Sequence, residues 1–266
     1  MGNSELRRFL LSKLEKYNQP SFIASDPISI PHSYARRQDI EIAGFFAAIL
    51  AWGNRTSIIN SCHRLMELMG NSPYAFIMQP DLANNQPAFD KLRGFVHRTF
   101  NGLDLWHLVL FLHHHFFTQK EESLESAFTL HLQANDENIK NALVGFHNYV
   151  FSFSEEAKLE MRCKKHIATP EHKSACKRLN MYLRWMVRND ERGVDFGIWK
   201  NIQPAQLVCP LDVHVANVSR KLGLLTRKQN DWEAAVELTQ NLKKMNSQDP
   251  VIFDIALFAL GVAEKY

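Results

Sequence analysis

TPEHKSACKRLNMYLRWMVRND, residues 169–190, and LVCPLDVHVANVSRKLGL, residues 207–224, are the two segments whose reading decides the fold. Each opens on a helix start. Thr169-Pro170-Glu171 sets a capping threonine, a proline at the first helical position and a carboxylate in the first turn. The helix is expected to run from there to about Val187. Ala175, Leu179, Tyr182, Leu183 and Met186 recur at helical spacing and form one buried face. Lys173, Lys177, Arg184 and Arg188 fall on another face. No acidic residue is interleaved among them, so a line of positive charge is expected along that side. In the second segment Asp212 stands where an N-cap belongs. Val215 and Val218 face inward and Gly223 stops the helix. A lone aspartate before a helix is most often only a cap. The connector between the segments holds two glycines and a proline, with a short helical turn expected around Phe196–Lys200.

The rest of the chain reads as helical scaffold. Residues 4–17 place Leu6, Phe9, Leu10 and Leu14 on one side of a helix. Prolines 20, 27 and 31 exclude a long element before Tyr34. Residues 37–51 form a strongly apolar helix and 55–69 a second one, joined by the tight corner Trp52-Gly53-Asn54-Arg55. That corner suits either a packed turn or a probe of a nucleic-acid duplex. Helices are expected over 73–79, 87–100, 103–118, 121–134 and 136–152. His113, His114 and His115 are consecutive and point to three helix faces, which argues against a shared metal. Alternating strand patterns are scarce, so the expected class is all-α.

A chain of 266 residues, 45% hydrophobic, is long enough for a large core. Its apolar runs are too short for a membrane span, and the charged, amphipathic N-terminus does not read as a secretory signal. MGNSEL carries Leu6 where a myristoylation signal wants Ser or Thr. Four scattered cysteines without a C-x-x-C pair argue against a cysteine-bound zinc or iron–sulfur centre. They fit reduced thiols in a cytoplasmic protein. Net charge is only +3, yet residues 158–228 hold 15 Lys and Arg against 6 Asp and Glu. That asymmetry suits a polyanion-binding face as well as a merely solvated one.

PLDVHVANVSRKLGL resembles the Pro-x-Asp-x-His-Val…Arg segment of the helix-hairpin-helix base-excision DNA glycosylases. KRLNMYLR after Cys176, with its long gap to Asp212, is most similar to the archaeal 8-oxoguanine glycosylase branch. IEIAGFFAAILAWGNRTSIINSCHRLMEL resembles the superfamily's early helix pair, and DPVIFDIALFALG its closing helix. The chain also resembles a bacterial family of unassigned function that shares S-A-C-K-R-L-N…R-W-M-V-R and P-L-D-x-H. The likeness to glycosylases spans about half the chain. It departs at IATPEHKSA, which lacks the Gly-x-Gly whose backbone amides hold a DNA phosphate in the family. It departs also at Gly53-Asn54-Arg55, where the family carries a probing glutamine.

The resemblance implies a single glycosylase-like unit over 1–266. Its subdomains would be a helical bundle (40–165) and the lysine and aspartate helices (166–224), with 1–39 and 225–266 packed against them and a cleft between the subdomains. It implies base-excision repair of an oxidised or otherwise damaged base in duplex DNA, with AP lyase activity and no cofactor, metal cluster or membrane partner. Lys177 would be the nucleophile, with Lys173 as the alternative. Asp212 would balance the developing oxocarbenium charge. A partly desolvated lysine among Arg178, Arg184 and Arg188 would stay neutral more readily. Asn54, Arg55, Thr169, His172, Arg178, Arg184, Arg188 and His214 would contact DNA, and Trp52, Trp185 or Trp199 would stack on a flipped base. Two other readings stay open: an inactive relative that binds DNA or RNA, and an all-α scaffold that binds a protein or RNA through the basic stripe.

Overall fold

Every residue from Ile40 to Ala51 is buried, so the helix that carries most of them cannot lie on a surface. The computed structural model describes residues 2–156 and 161–266. In chain order its helices are α1 (Asn3–Tyr17), α2 (Pro20–Ile23), α3 (Arg37–Ile49), α4 (Arg55–Leu68), α5 (Pro73–Ile77) and α6 (Gln86–Leu92). A two-stranded antiparallel hairpin follows, β1 (Val96–His97) and β2 (Phe100–Asn101). Then come α7 (Gly102–His113), α8 (Glu125–Thr129), α9 (Lys140–Glu156), α10 (Lys177–Val187), α11 (Val213–Lys221), α12 (Trp232–Lys243) and α13 (Asp254–Val262). The protein is predominantly helical. It divides into two compact units. One holds Ser25–His131 and Gly145–Ala168, and is here the α3 unit. The other holds Met1–Ala24, Leu132–Val144 and Thr169–Tyr266, and is the α10 unit.

The core of the α3 unit is aromatic. Phe146 stacks on Phe128 at 4.0 Å between centroids and meets Phe45 and Phe111 edge-on at 6.0 and 5.9 Å. Glu41 is fully buried beside them. Its carboxylate accepts from Arg37 Nε at 3.0 Å, Ser123 Oγ at 2.6 Å and the Leu124 amide at 2.9 Å, which makes a charge in the core tolerable.

In the α10 unit, Leu179, Leu183 and Met186 of α10 are buried, as are Val215 and Val218 of α11, Leu238 and Leu242 of α12, and Ile255 and Leu260 of α13. Leu6 and Leu10 bring in α1. The positions that the spacing sets on the buried face of α10 are buried, and so are Asn180, Arg184, Trp185 and Val187 around the helix. Residues 132–144 are tied to this unit through Gln206. Its carbonyl accepts from the Ile139 amide, and its side-chain amide donates to the carbonyls of Gln133 and Asp136. Glu264, just beyond α13, accepts from Lys13 Nζ at 2.7 Å and from Tyr17 Oη at 2.7 Å on α1. Lys13 and Tyr17 hold the Glu264 carboxyl down to about 2, below its ordinary 4.5. A depressed carboxylate stabilises the fold above its ordinary range and loses that contribution as pH falls through its folded value. Wild type is therefore expected to melt above Glu264→Gln at pH 6, with the difference shrinking from pH 4.5 and vanishing near pH 2. Paired thermal unfolding across that range is the measurement, and a gap that persists at pH 2 would refute the assignment.

Local structure departs from the sequence expectation at four places. The segment expected as a helix over 87–100 becomes α6 and then a hairpin, because Arg98 takes a left-handed turn (φ 55°) and Asn101 and Asp104 form a capping box that starts α7 afresh. The helices expected over 121–134 and 136–152 are instead Glu125–Thr129 and Lys140–Glu156. The helix expected from Thr169 is broken. A single 3-10 turn, Pro170–His172, is followed by left-handed residues at Lys173 (φ 59°) and Cys176 (φ 49°) before α10 begins. No helical turn forms at 196–200. The Phe196 and Trp199 amides instead donate to the carbonyls of Trp185 and Met186, closing the C-terminal end of α10. The 3-10 turn of the connector lies at Pro204–Gln206.

Candidate functional site

Lys177 is the first residue of α10 and is half-buried. The turn before it is built without glycine. Lys173 and Cys176 hold the positive φ values that favour glycine, at a cost of roughly 1–2 kcal/mol each. The loop is held by neighbours. Ser174 forms a β-bridge with Asp231, the Trp232 amide donates to the Lys173 carbonyl at 3.3 Å, and the Ser174 hydroxyl accepts from the Cys176 amide at 3.1 Å. Lys173 and His172 are exposed, whereas Thr169 is buried, its hydroxyl accepting from the Glu171 amide. Arg178, one residue into α10, is half-buried, and desolvation pushes its guanidinium down to about 10.

The expected basic stripe does not form. Arg184 and Arg188 are buried, at 4% and 2% exposure, and each is met by carboxylates. Arg184 Nη1 donates to Asp254 Oδ2 at 2.5 Å, and its Nε lies 3.3 Å from Asp195 Oδ1. Arg188 Nη1 pairs with Asp195, and its Nε with Asp249 at 2.9 Å. Burial works against the Arg188 charge, but Asp195 and Asp249 outweigh it and raise its pKa above the ordinary value. These arginines are spaced along α10 so that one aspartate, Asp195, serves both. They therefore present no face to DNA. Their charge is compensated, and a helix rise of about 1.5 Å per residue sets Arg184 about 10 Å beyond Lys177. Trp185 and Trp199 are likewise core residues, at 0% and 1% exposure, and offer no ring to a flipped base.

Asp212 caps α11 as the sequence predicts, its Oδ1 accepting from the Val215 amide at 2.8 Å. A carboxylate has a second oxygen, so capping leaves room for another role. Asp212 lies near enough to Asp254 to raise it, a shift led by the burial of Asp254 itself and opposed by Arg184. The fully buried Cys209 thiol stands in the same group, its Sγ 3.8 Å from Asp254 Oδ1, and burial drives it well above its ordinary pKa. Asp254 of α13 thus connects Arg184 on α10 with the start of α11. Asp195, Asp249 and Asp254 were not legible as a group. Asp249 and Asp254 lie in the DPVIFDIALFALG segment, but its helical reading gave neither a role, and Asp195 lies in the connector.

His214 is exposed, and Gly261 packs against its backbone: a Cβ on Gly261 would meet His214 Cβ at 2.9 Å and its carbonyl oxygen at 3.2 Å. The contact sets how closely α13 approaches the first turn of α11. Gly261→Ala is expected to cost about 1–3 kcal/mol by overpacking in urea unfolding. A stability within about 0.5 kcal/mol of wild type would show that the contact relaxes freely.

Asn54 and Arg55 belong to the α3 unit. Asn54 caps α4, its side chain accepting from the Ser57 amide at 3.2 Å, and Arg55 opens that helix. Trp52 is partly exposed. It stacks on His166 at 5.6 Å and meets His97 edge-on at 4.9 Å. The three consecutive histidines diverge. His113 Nδ1 donates to the Ile77 carbonyl, His114 Nε2 contacts Gln119 and His115 lies between Tyr149 Oη and the Ser123 carbonyl. Among the described residues no group of three or more His, Cys, Asp or Glu side chains is arranged to hold a metal, and no helix is long and apolar enough to cross a membrane.

The family model described as "Protein of unknown function (DUF2400)" matches residues 26–263, which include all of these positions. No curated protein and no solved structure matches the chain.

Proposed function

The chain belongs to the DUF2400 family of proteins of unknown function, and for it we propose a DNA glycosylase with AP lyase activity acting on an oxidised or otherwise damaged base. The observation that carries this reading is that a lysine and an aspartate each stand at a helix start of the α10 unit. Lys177 opens α10 and Asp212 caps α11. The Arg184–Asp254 ion pair joins α10 to the group that contains Asp212. Such a frame positions both groups through helices rather than through loops.

In the proposed reaction the neutral Lys177 amine attacks C1′ of the flipped nucleotide. The N-glycosidic bond breaks and its electron pair leaves with the base, which takes up a proton. Asp212 balances the positive charge that develops on the sugar. Opening of the sugar ring gives a Schiff base, and loss of a C2′ proton then expels the 3′-phosphate. Within the α10 unit, Lys173, His172 and Arg178 contact DNA. Arg184, Arg188, Trp185 and Trp199 serve the frame.

The test is borohydride trapping, which reduces the Schiff base to a stable covalent complex. Duplex DNA carrying 8-oxoguanine or an abasic site is incubated with the protein and borohydride, and a shifted protein–DNA band is expected. Duplex binding without trapping on either substrate would reduce the protein to a nucleic-acid binder without this chemistry.

A further inference from the structure

α7 is buried almost all round. From Gly102 to His113 only Leu103 and Trp106 reach solvent, and both are large and apolar. They stand three residues apart, so they share one side of the helix. The solvent-facing stripe of a helix ordinarily carries polar side chains. Neighbouring elements extend this stripe. Phe89 of α6 is partly exposed and meets Trp106 edge-on at 5.4 Å. Val96 of β1 is exposed and lies opposite Asn101, whose side chain accepts from the Leu103 amide at 3.1 Å. Gly102 leaves no room for a Cβ beside the Arg93 carbonyl, so the end of α6 is pressed on the start of α7. Phe89, Trp106, Leu103 and Val96 thus form one apolar strip within the α3 unit. A contiguous strip of this kind marks an interaction site, whereas a single exposed apolar residue such as Leu130 does not.

The border of the strip selects what fits it. Asp90 and Arg93 of α6 stand on either side of Phe89 in that helix, both exposed, with Arg93 Nε 3.1 Å from Asp90 Oδ1. Two other cations of these elements are placed elsewhere: Arg98 lies over Gly53, and Lys91 borders a hollow with Leu68 and Phe76. The border therefore carries one charge of each sign. A polyanion would gain Arg93 and lose as much to Asp90. A second copy of the chain loses nothing. Across a two-fold axis the same patch meets itself, and residue i faces j where j faces i. Two α6 helices laid antiparallel satisfy both charges twice.

We propose that Phe89, Val96, Leu103 and Trp106 form the centre of a two-fold interface between two copies of the chain, with Asp90 of each copy paired to Arg93 of the other. The interface uses neither Lys177 nor Asp212 and stands apart from the repair reading. Four side chains supply only the centre of the about 800 Å² per copy that a stable dimer buries, so the association is expected to be weak and concentration-dependent.

Sedimentation velocity of the full chain, from about 1 to 200 µM, tests the interface. Wild type is expected to pass from monomer towards dimer across that range. Leu103→Asp sets two carboxylates at the centre and should keep the chain monomeric throughout. Leu130→Asp, at another exposed apolar position of the same unit, should change nothing. Asp90→Arg and Arg93→Asp should each weaken self-association at least about tenfold, because like charges then face each other. Mixed in equal amounts, these two variants should associate with each other within about threefold of wild type, since opposite charges again meet across the axis. Each variant by itself has lost the pair within α6, so that recovery reports the interface and not the fold. The charge variants lie on the exposed border and keep the test decisive if Leu103→Asp fails to fold. Wild type that stays monomeric at the highest concentration overturns the interface, and a duplex-DNA complex lost in Leu103→Asp would then assign the strip to nucleic acid. Wild-type dimers that Leu103→Asp leaves intact also overturn it. A mixture of the charge variants that associates no better than either alone overturns the two-fold pairing.

Discussion

Asp195→Ala is expected to lower stability by about 3–5 kcal/mol, enough to unfold a typical domain partly at room temperature. Asp195 is 3% exposed and is shared by two buried arginines, Arg184 and Arg188. Its removal leaves each of them with one carboxylate, Asp254 and Asp249 respectively, and takes a hydrogen-bond acceptor from two buried guanidiniums at once. The connector also loses its anchor. Asp195 lies in the stretch whose Phe196 and Trp199 amides close the end of α10. Asp195→Asn keeps the shape and part of the hydrogen bonding, so a smaller loss, about 1–3 kcal/mol, is expected. Urea unfolding of the three proteins decides the matter. If Asp195→Ala costs less than about 1 kcal/mol, the ion network is not what holds α10 to the connector.

Lys177→Gln is expected to abolish the borohydride-trapped complex, while Asp212→Asn lowers its rate of formation by about 10²–10³. Both should leave duplex affinity within about threefold of wild type. The Asp212 variant is unusually clean as a control. Asparagine is as good an N-cap as aspartate, so the Val215 amide keeps its partner and α11 keeps its start. A loss of activity in Asp212→Asn then reports on the carboxylate charge and not on folding. Lys173→Gln separates the two lysines. Trapping should survive it, because Lys173 is exposed in a left-handed turn ahead of the helix, whereas Lys177 lies within it. Trapping that survives Lys177→Gln and disappears in Lys173→Gln would move the nucleophile. Trapping that survives both would remove the mechanism.

Much of the scaffold was legible because it is local. Asp212 before Val215 and Val218 signals a capped helix from a few residues, and the cap forms as expected. Leu179, Leu183 and Met186 of α10 are expected inside from helical spacing alone, and they are buried. The helices at 37–49 and 55–68 emerge from uninterrupted apolar periodicity and the Gly-Asn punctuation between and after them. The misread elements are those where a distant partner outbids the local signal. Thr169-Pro170-Glu171 is a sound helix start, yet the bridge from Ser174 to Asp231 pulls the chain into left-handed turns four residues on. Residues 94–101 lack a strong strand pattern, yet a hairpin forms where His97 finds Ser61 and Arg98 finds Gly53.

The amino-acid sequence by itself determined that the protein is helical and where several helices begin, among them those capped by Asn54 and Asp212. Capping and periodicity act over one to four residues and need no partner. Tertiary structure alone decided what the charges do. Lys177, Arg184 and Arg188 look alike in sequence, as cations at helical spacing on one side of α10. Only the fold sends Arg184 and Arg188 inward to Asp195, Asp249 and Asp254, residues up to 70 positions away, and leaves Lys177 half-buried at the helix start. The physical reason is that a cation's role depends on whether burial is compensated by a carboxylate, and those carboxylates come from the connector and the approach to α13, which no local pattern on α10 reveals.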